Sequence, residues 1–367
     1  MAGARPMTAQ LPATAASGNE PWMAQQMARL AGRRGHAWLL AGPSGLGQYE
    51  LALGLASAWL CDHAGPQGAC GTCPSCHAIS VRTHADLRVL MPETALLALG
   101  WPLGEKAQQE IDARDRKPSR EIRVEALRET IEFCQRSSAR GQGKVVLVYP
   151  AERMNTVSAN ALLKTLEEPA GDVRFLLASE AAHLLAPTVR SRCQLHTMDW
   201  PGPEMALAWL RQQGLSDHDA SVLLRASGGR PQEAMRYARE GRGAALWQGL
   251  PAAVSRGDLA AFKDWTSPQL LDALYKLSHD MVLRACGAPP RFFLPGELPA
   301  PASLRALSDW SRELTRAMRS AEHPFQIGLM QEALLGQARQ ALSRRDASPG
   351  SATGPAAHAA RPAAPVS

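Results

Sequence analysis

The stretch from Ala37 to Leu60 constrains this chain most, because it sets an apolar run, a glycine loop and an apolar helix in immediate succession. Ala37-Trp38-Leu39-Leu40-Ala41 reads as a buried strand. Tyr49 to Leu60, with Leu51, Leu55, Ala58 and Trp59 on one side, reads as the helix that follows. Between them, Gly42-Pro43-Ser44-Gly45-Leu46-Gly47-Gln48-Tyr49 has the spacing of a phosphate-binding loop, G-x-x-x-x-G-K-[ST]. In that motif glycine N–H groups wrap the phosphates, a Lys neutralises their charge and a hydroxyl ligates Mg²⁺. Gly42, Gly45 and Gly47 are kept, but Gln48 stands at the Lys position and Tyr49 at the hydroxyl position. Gln carries no charge, and a phenol is too bulky for a metal-ligand slot. The loop predicts the architecture of an ATPase without its catalysis; a plain Gly-rich turn is the simpler alternative. Glycine N–H groups at a helix N-terminus hold an anion weakly even without Lys.

A second apolar run points the same way. Lys144-Val145-Val146-Leu147-Val148-Tyr149 has the Val enrichment of a central strand buried on both faces. In nucleotide hydrolases such a strand ends in acids that hold Mg²⁺ and orient water. Here Tyr149 and Pro150 occupy those positions, and the first acid is Glu152.

Cys61, Cys70, Cys73 and Cys76 form C-x8-C-x2-C-x2-C, four of the seven cysteines within sixteen residues. Two C-x2-C steps threaded with Gly and Pro are zinc spacing, and four thiolates leave no open catalytic position. Disulfides are the alternative, and no leader sequence or pairing pattern of Cys134, Cys193 and Cys286 supports them. His63 and His77 flank the cluster and could replace one ligand.

At 367 residues, about two or three domains are expected. A net charge of +6, from 40 basic and 34 acidic residues, is mildly basic and far from a strong nucleic-acid footprint. No apolar run reaches the roughly 18 residues of a membrane span, and a cytoplasmic location is expected. Residues 1–18 and the Ala/Pro/Ser-rich 346–367 read as disordered. From 19 to 200, strands alternate with helices, which predicts a parallel α/β sheet covered on both faces. Residues 92–117 read as an irregular polar excursion. Beyond Pro201 the strand signal ends. Three short helices over 201–245 read as a lid, and longer helices over 246–345 as an all-α domain. Their stripes are Leu270, Leu274, Leu277, Met281 and Val282, then Leu304, Leu307, Trp310, Leu314 and Met318, then Ile327, Met330 and Leu334.

Ala159-Asn160-Ala161-Leu162-Leu163-Lys164-Thr165-Leu166-Glu167-Glu168-Pro169, followed by Thr188-Val189-Arg190-Ser191-Arg192-Cys193, resembles the bacterial clamp-loader family of AAA+ proteins. Taken alone, Lys164 with Glu167 and Glu168 would be only a helix-stabilising charge pair. The resemblance spans roughly residues 20–345. It implies a P-loop AAA+ sheet domain with an inserted zinc module (61–76), a helical lid and a C-terminal oligomerisation collar. It also implies a subunit of the DNA polymerase III holoenzyme, within a hetero-pentameric ring of gamma/tau- and delta-type subunits that places a sliding clamp on primer-template DNA. Within such a ring this chain resembles a non-hydrolysing member, with structural Zn²⁺ and no bound ATP. Arg192 is then the residue donated in trans to a neighbour's γ-phosphate, an arginine finger worth about 10³–10⁵ in rate. Arg190 is the lesser candidate, and an ordinary surface Arg with a carboxylate partner is the plain alternative. Glu167 and Glu168 read as packing or interface residues. The competing function is an active ATPase subunit of the same loader; a stand-alone zinc-containing DNA-binding protein is disfavoured by the lack of a dense basic or aromatic tract.

Overall fold

The computed structural model describes residues 20–33, 35–66, 68–300, 302–319 and 327–344. The two termini expected to be disordered, 1–18 and 346–367, lie outside the described residues. Five strands, β1 (Ala37–Ala41), β2 (Leu87–Leu90), β3 (Lys144–Val148), β4 (Val173–Ser179) and β5 (Gln194–Thr197), pair in parallel in the order β2-β3-β4-β1-β5. β1 and β3 are buried along their whole length, whereas β5, at one edge, is largely exposed. Alternation along each strand feeds two cores. Val145 and Leu147 face one with Trp38 and Leu40, and Val146 and Val148 face the other with Leu39 and Phe175. Continuous Val/Leu runs are what such double-sided burial demands.

Eleven helices accompany this sheet among the described residues: α1 (Pro21–Ala31), α2 (Gln48–Leu60), α3 (Pro74–Ser80), α4 (Glu93–Ala98), α5 (Glu105–Asp112), α6 (Val124–Gln135), α7 (Thr156–Glu167), α8 (Pro187–Arg190), α9 (Pro203–Gln212), α10 (Asp217–Ala226) and α11 (Pro231–Arg239). Leu51, Leu55 and Leu60 of α2 fill the first core, and Leu127 of α6 with Leu162 and Leu166 of α7 fill the second. The result is an open parallel α/β fold with helices on both faces of the sheet. α7 starts where Asn155 caps it, its side chain accepting the Ser158 N–H at 2.9 Å.

One expectation needs correction. Residues 92–117 are not irregular, since they fold as α4 and α5. Arg116 pins them by donating to Glu93 Oε1 at 2.7 Å and to Glu110 Oε2 at 2.7 Å. The three helices after Pro201 fall in one compact unit with the sheet, and the chain divides between Ala244 and Ala245, next to the expected start of the all-α domain at 246.

The second unit is helical: α12 (Ala244–Arg256), α13 (Ser267–Ala285), α14 (Leu304–Arg319) and α15 (Ile327–Ser343). Leu270, Leu274, Leu277, Leu307, Trp310, Leu314 and Leu334 are buried, as their spacing requires. Leu304 and Met318 depart from the expected stripe and are 40% and 45% exposed, because they sit at the two ends of α14. The buried Asp280 carboxylate accepts backbone N–H bonds from Arg291, Phe292 and Phe293 at 2.7–2.9 Å, tying α13 to the chain that follows it.

Candidate functional site

Gly42, Tyr149 and Glu180 each follow directly on a strand, β1, β3 and β4. A parallel sheet therefore delivers all three to one edge, the carboxyl ends where ligands of such sheets bind. Gly45 and Gly47 have φ of +83° and +92°, the left-handed region that glycine alone enters freely. A Cβ on Gly45 would stand 2.7 Å from Glu233 Cβ, and one on Gly47 would run into Met23 Cε. The loop is thus crowded by the chain's own side chains.

Gln48 does more than leave out a charge. Its amide turns back and donates to the carbonyls of Gly42 at 2.6 Å and Pro43 at 2.9 Å, and the residue is 2% exposed. Arg230 closes the loop from outside, donating to Ser44 O at 2.8 Å and Ser44 Oγ at 2.9 Å. Tyr49, also buried, accepts the Trp101 indole N–H at 2.7 Å and stacks on Tyr149. Tyr149 donates to Glu180 Oε1 at 2.8 Å. Glu152 braces the end of β4 instead of facing the loop, accepting Ser179 Oγ at 2.8 Å and Glu180 N at 3.1 Å. Trp101 lies in the excursion, so that segment helps to fill the slot of the missing hydroxyl.

A cavity of about 650 Å³ remains, lined by Gly45, Gly47, Gln48 and Tyr149 and by four carboxylates, Glu20, Glu50, Glu180 and Glu233. Burial pushes the Glu50 carboxyl up to about 7 and raises those of Glu20 and Glu180. Arg236 and Arg239 also line it, with Arg236 paired to Glu233. Glu20, Glu50, Glu180 and Glu233 are the residues that sequence reasoning missed. They lie far apart in the chain and match no motif, so only the fold gathers them.

The four cysteines converge after α2. Cys61 Sγ lies 3.8 Å from Cys73 Sγ and 3.7 Å from Cys76 Sγ, and Cys70 Sγ lies 3.9 Å from Cys76 Sγ. Four sulfurs at about 2.3 Å from a central zinc in a tetrahedron stand about 3.8 Å apart, so the donor set fits that ion. The sulfurs stand beyond disulfide-bonding distance of one another. His63 and His77 are exposed and outside the cluster, so neither replaces a sulfur. Backbone N–H groups already point at the sulfurs: His63 and Cys70 at Cys61, Cys73 at Cys70, and Cys76 at Cys73, at 3.3–3.4 Å. Asp62 ties the module to the sheet domain, accepting Ser75 Oγ at 2.8 Å and Arg140 Nη2 at 3.2 Å.

Arg192 sits at the other end of the sheet. Gln194, two residues on, pairs with Trp38 at the start of β1, whereas the glycine loop follows the end of β1. At ~3.3 Å per strand residue the two sites are roughly 15 Å apart. Arg192 donates from Nη1 to Thr188 O at 2.8 Å, and from Nη2 to Glu167. The carboxylate partner of the plain alternative is therefore present. Among the described residues Glu167 pairs with Arg192 and not with Lys164 of its own helix. Arg190 is exposed and makes no ion pair among the described residues.

A family model described as DNA polymerase III, delta subunit, matches residues 22–200. The DNA polymerase III subunit delta' of Pseudomonas aeruginosa is 38% identical over 226 residues, 60% of this chain and 62% of that protein. The subunit delta' of Escherichia coli K12 is 32% identical over 277 residues, 69% of this chain and 75% of that protein. The tau subunit of E. coli K12 is 34% identical over 166 residues, 45% of this chain and 22% of that protein. The chain thus spans under two thirds of the Pseudomonas relative's length and three quarters of the E. coli one's.

Proposed function

The chain belongs to the DNA polymerase III delta prime family, and from that premise we propose that it is a clamp-loader subunit that neither binds nor hydrolyses ATP. It serves in DNA replication as one member of a hetero-pentameric ring with gamma/tau- and delta-type subunits. Through that ring it acts on the sliding clamp and primed DNA. The observation that carries this reading is the stacked pair Tyr49–Tyr149, standing at the positions of the Mg²⁺-binding hydroxyl and the Mg²⁺-binding acid. The remaining cavity is lined by four acidic side chains, Glu20, Glu50, Glu180 and Glu233, in place of the Lys that a triphosphate needs. The loop Lys that neutralises the phosphates and the hydroxyl and acid that place the metal are missing from this side-chain set.

In this role Arg192 is an arginine finger for a neighbouring subunit's ATP. Its place roughly 15 Å from the chain's own loop supports a function in trans, since it has no part to play in that cavity. A structural Zn²⁺ on Cys61, Cys70, Cys73 and Cys76 completes the subunit, and the second helical unit is the collar that joins the ring.

The test is clamp- and DNA-stimulated ATP hydrolysis by the reconstituted loader carrying Arg192→Ala or Arg190→Ala. Arg192→Ala should cut turnover at the neighbour's site by about 10³-fold or more, and so lower that of the whole loader, while the complex still assembles. Unchanged turnover with Arg192→Ala, or a loss that follows Arg190→Ala instead, overturns the assignment. Titration of the isolated chain with a fluorescent ATP analogue separates this function from an active ATPase, which would bind tightly.

A further inference from the structure

Arginine fingers are long, flexible side chains, so a finger that works must be held where the neighbour's phosphate arrives. Resting on the finger reading above, we propose that Glu167 is the positioning residue for Arg192. The guanidinium offers five N–H donors. Nε is buried without a partner and faces inward, Nη1 donates to Thr188 O at 2.8 Å, and Nη2 donates to the Glu167 carboxylate. One N–H on each of Nη1 and Nη2 is left, a fork suited to two phosphate oxygens. The group stays 28% exposed, so this fork is reachable from outside.

The placement of Glu167 is itself unusual. It is the last residue of α7, where the helix dipole disfavours a carboxylate. A cation nearby offsets that cost, and Lys164 in the same turn does not supply it, since Glu167 reaches across 25 residues to Arg192 instead. Glu168 next to it has no ion-pair partner among the described residues, so the contact is not a general property of an acidic run. α7 and α8 thereby grip the two Nη nitrogens from two sides. The side chain is ordered before the neighbour's nucleotide meets it, which is how preorganisation lowers a barrier.

The experiment measures kcat and KM for ATP in the reconstituted loader, with clamp and primed DNA, for Glu167→Ala, Glu167→Gln, Arg192→Ala and the Glu167→Ala/Arg192→Ala pair. Assembly is checked by co-elution. Glu167→Ala should lower kcat about ten-fold with KM within about two-fold of the parent, since misplacing a reacting group costs turnover. Glu167→Gln, whose amide oxygen still accepts from Nη2, should recover most of it. On the Arg192→Ala background, Glu167→Ala should cost nothing further. Unchanged or raised kcat in Glu167→Ala overturns the proposal, as does an equal loss on both backgrounds. A normal rate in Arg192→Ala overturns the finger itself, and this positioning role with it. A slow Arg192→Ala loader beside a normal Glu167→Ala one removes only the role of Glu167.

Discussion

The ring of Tyr49 lies on the ring of Tyr149, with centroids 5.3 Å apart and planes 30° apart. One stands at the start of the helix after the glycine loop and the other just past the end of β3. In a hydrolase these two points face each other across a magnesium ion. Here aromatic stacking, worth about 0.5–1.5 kcal/mol beyond burial, takes the ion's place. The loss of the metal site is therefore not a bare deletion, because the space has been refilled by side chains that hold the same two elements together.

Tyr149→Phe keeps the stack and removes the hydroxyl that donates to Glu180 at 2.8 Å. Losing this hydrogen bond to the half-buried Glu180 carboxyl should cost about 0.5–1.5 kcal/mol of stability. Urea unfolding midpoints of the parent and the variant measure it. Equal midpoints would show that water replaces the hydroxyl at no cost.

Restoring the motif should not restore binding. Gln48→Lys with Tyr49→Thr supplies the charge and the hydroxyl, but Glu20, Glu50, Glu180 and Glu233 still line the cavity and Tyr149 still stands at the acid position. The double variant should show no tight binding of a fluorescent ATP analogue near neutral pH. Micromolar binding in it would mean that the two substitutions alone had silenced the loop.

Glu50 gives stability a pH dependence with a definite sign. Its folded carboxyl is raised from 4.5 to about 7 by burial, so the native state holds a proton that the unfolded chain has released. Below 4.5 both states are protonated and there is no penalty. Stability falls as pH rises from 4.5 to about 7 and is flat above that, a loss of up to about 3 kcal/mol from this group. Glu50→Gln should therefore stabilise the protein at pH 8 more than at pH 5, read as the shift in urea midpoint. The same gain at both values would contradict the assignment. Glu20 and Glu180 are raised by burial as well, and act in the same direction.

What could be read in the sequence was local. The strand–loop–helix at 37–60 and the four cysteines are written in spacing, and spacing survives without knowledge of the fold. The acid ring was not legible, because Glu20, Glu50, Glu180 and Glu233 come together only when β1, β4 and the helices around them are assembled. α5 was hidden for a different reason. It buries no residue among the eight it contains, so it has no apolar stripe to give it away, and Arg116 holds it in place through ion pairs. Glu167 reads as a packing or interface residue in the sequence, because nothing in its spacing points 25 residues ahead. The fold supplied Arg192 instead.

The thiolate cluster should be structural and confined in its effect. Cys61 is the residue that ends α2, and Cys73 caps α3 with its sulfur accepting the Cys76 N–H. A metal at the centre would join these two helix ends, while the cores on either side of the sheet are built from Val, Leu and Phe that do not touch it. Purified protein should contain about one zinc per chain, with Zn–S distances of about 2.3 Å by X-ray absorption. Cys73→Ser should lower the zinc content and raise hydrogen exchange over residues 61–80, while β1 and β3 stay protected. Because Asp62 also bonds Arg140 at 3.2 Å, exchange around residue 140 should rise too. A fully folded protein that holds no zinc, or a Cys73→Ser protein with unchanged exchange over 61–80, would show that the four sulfurs pack without a metal.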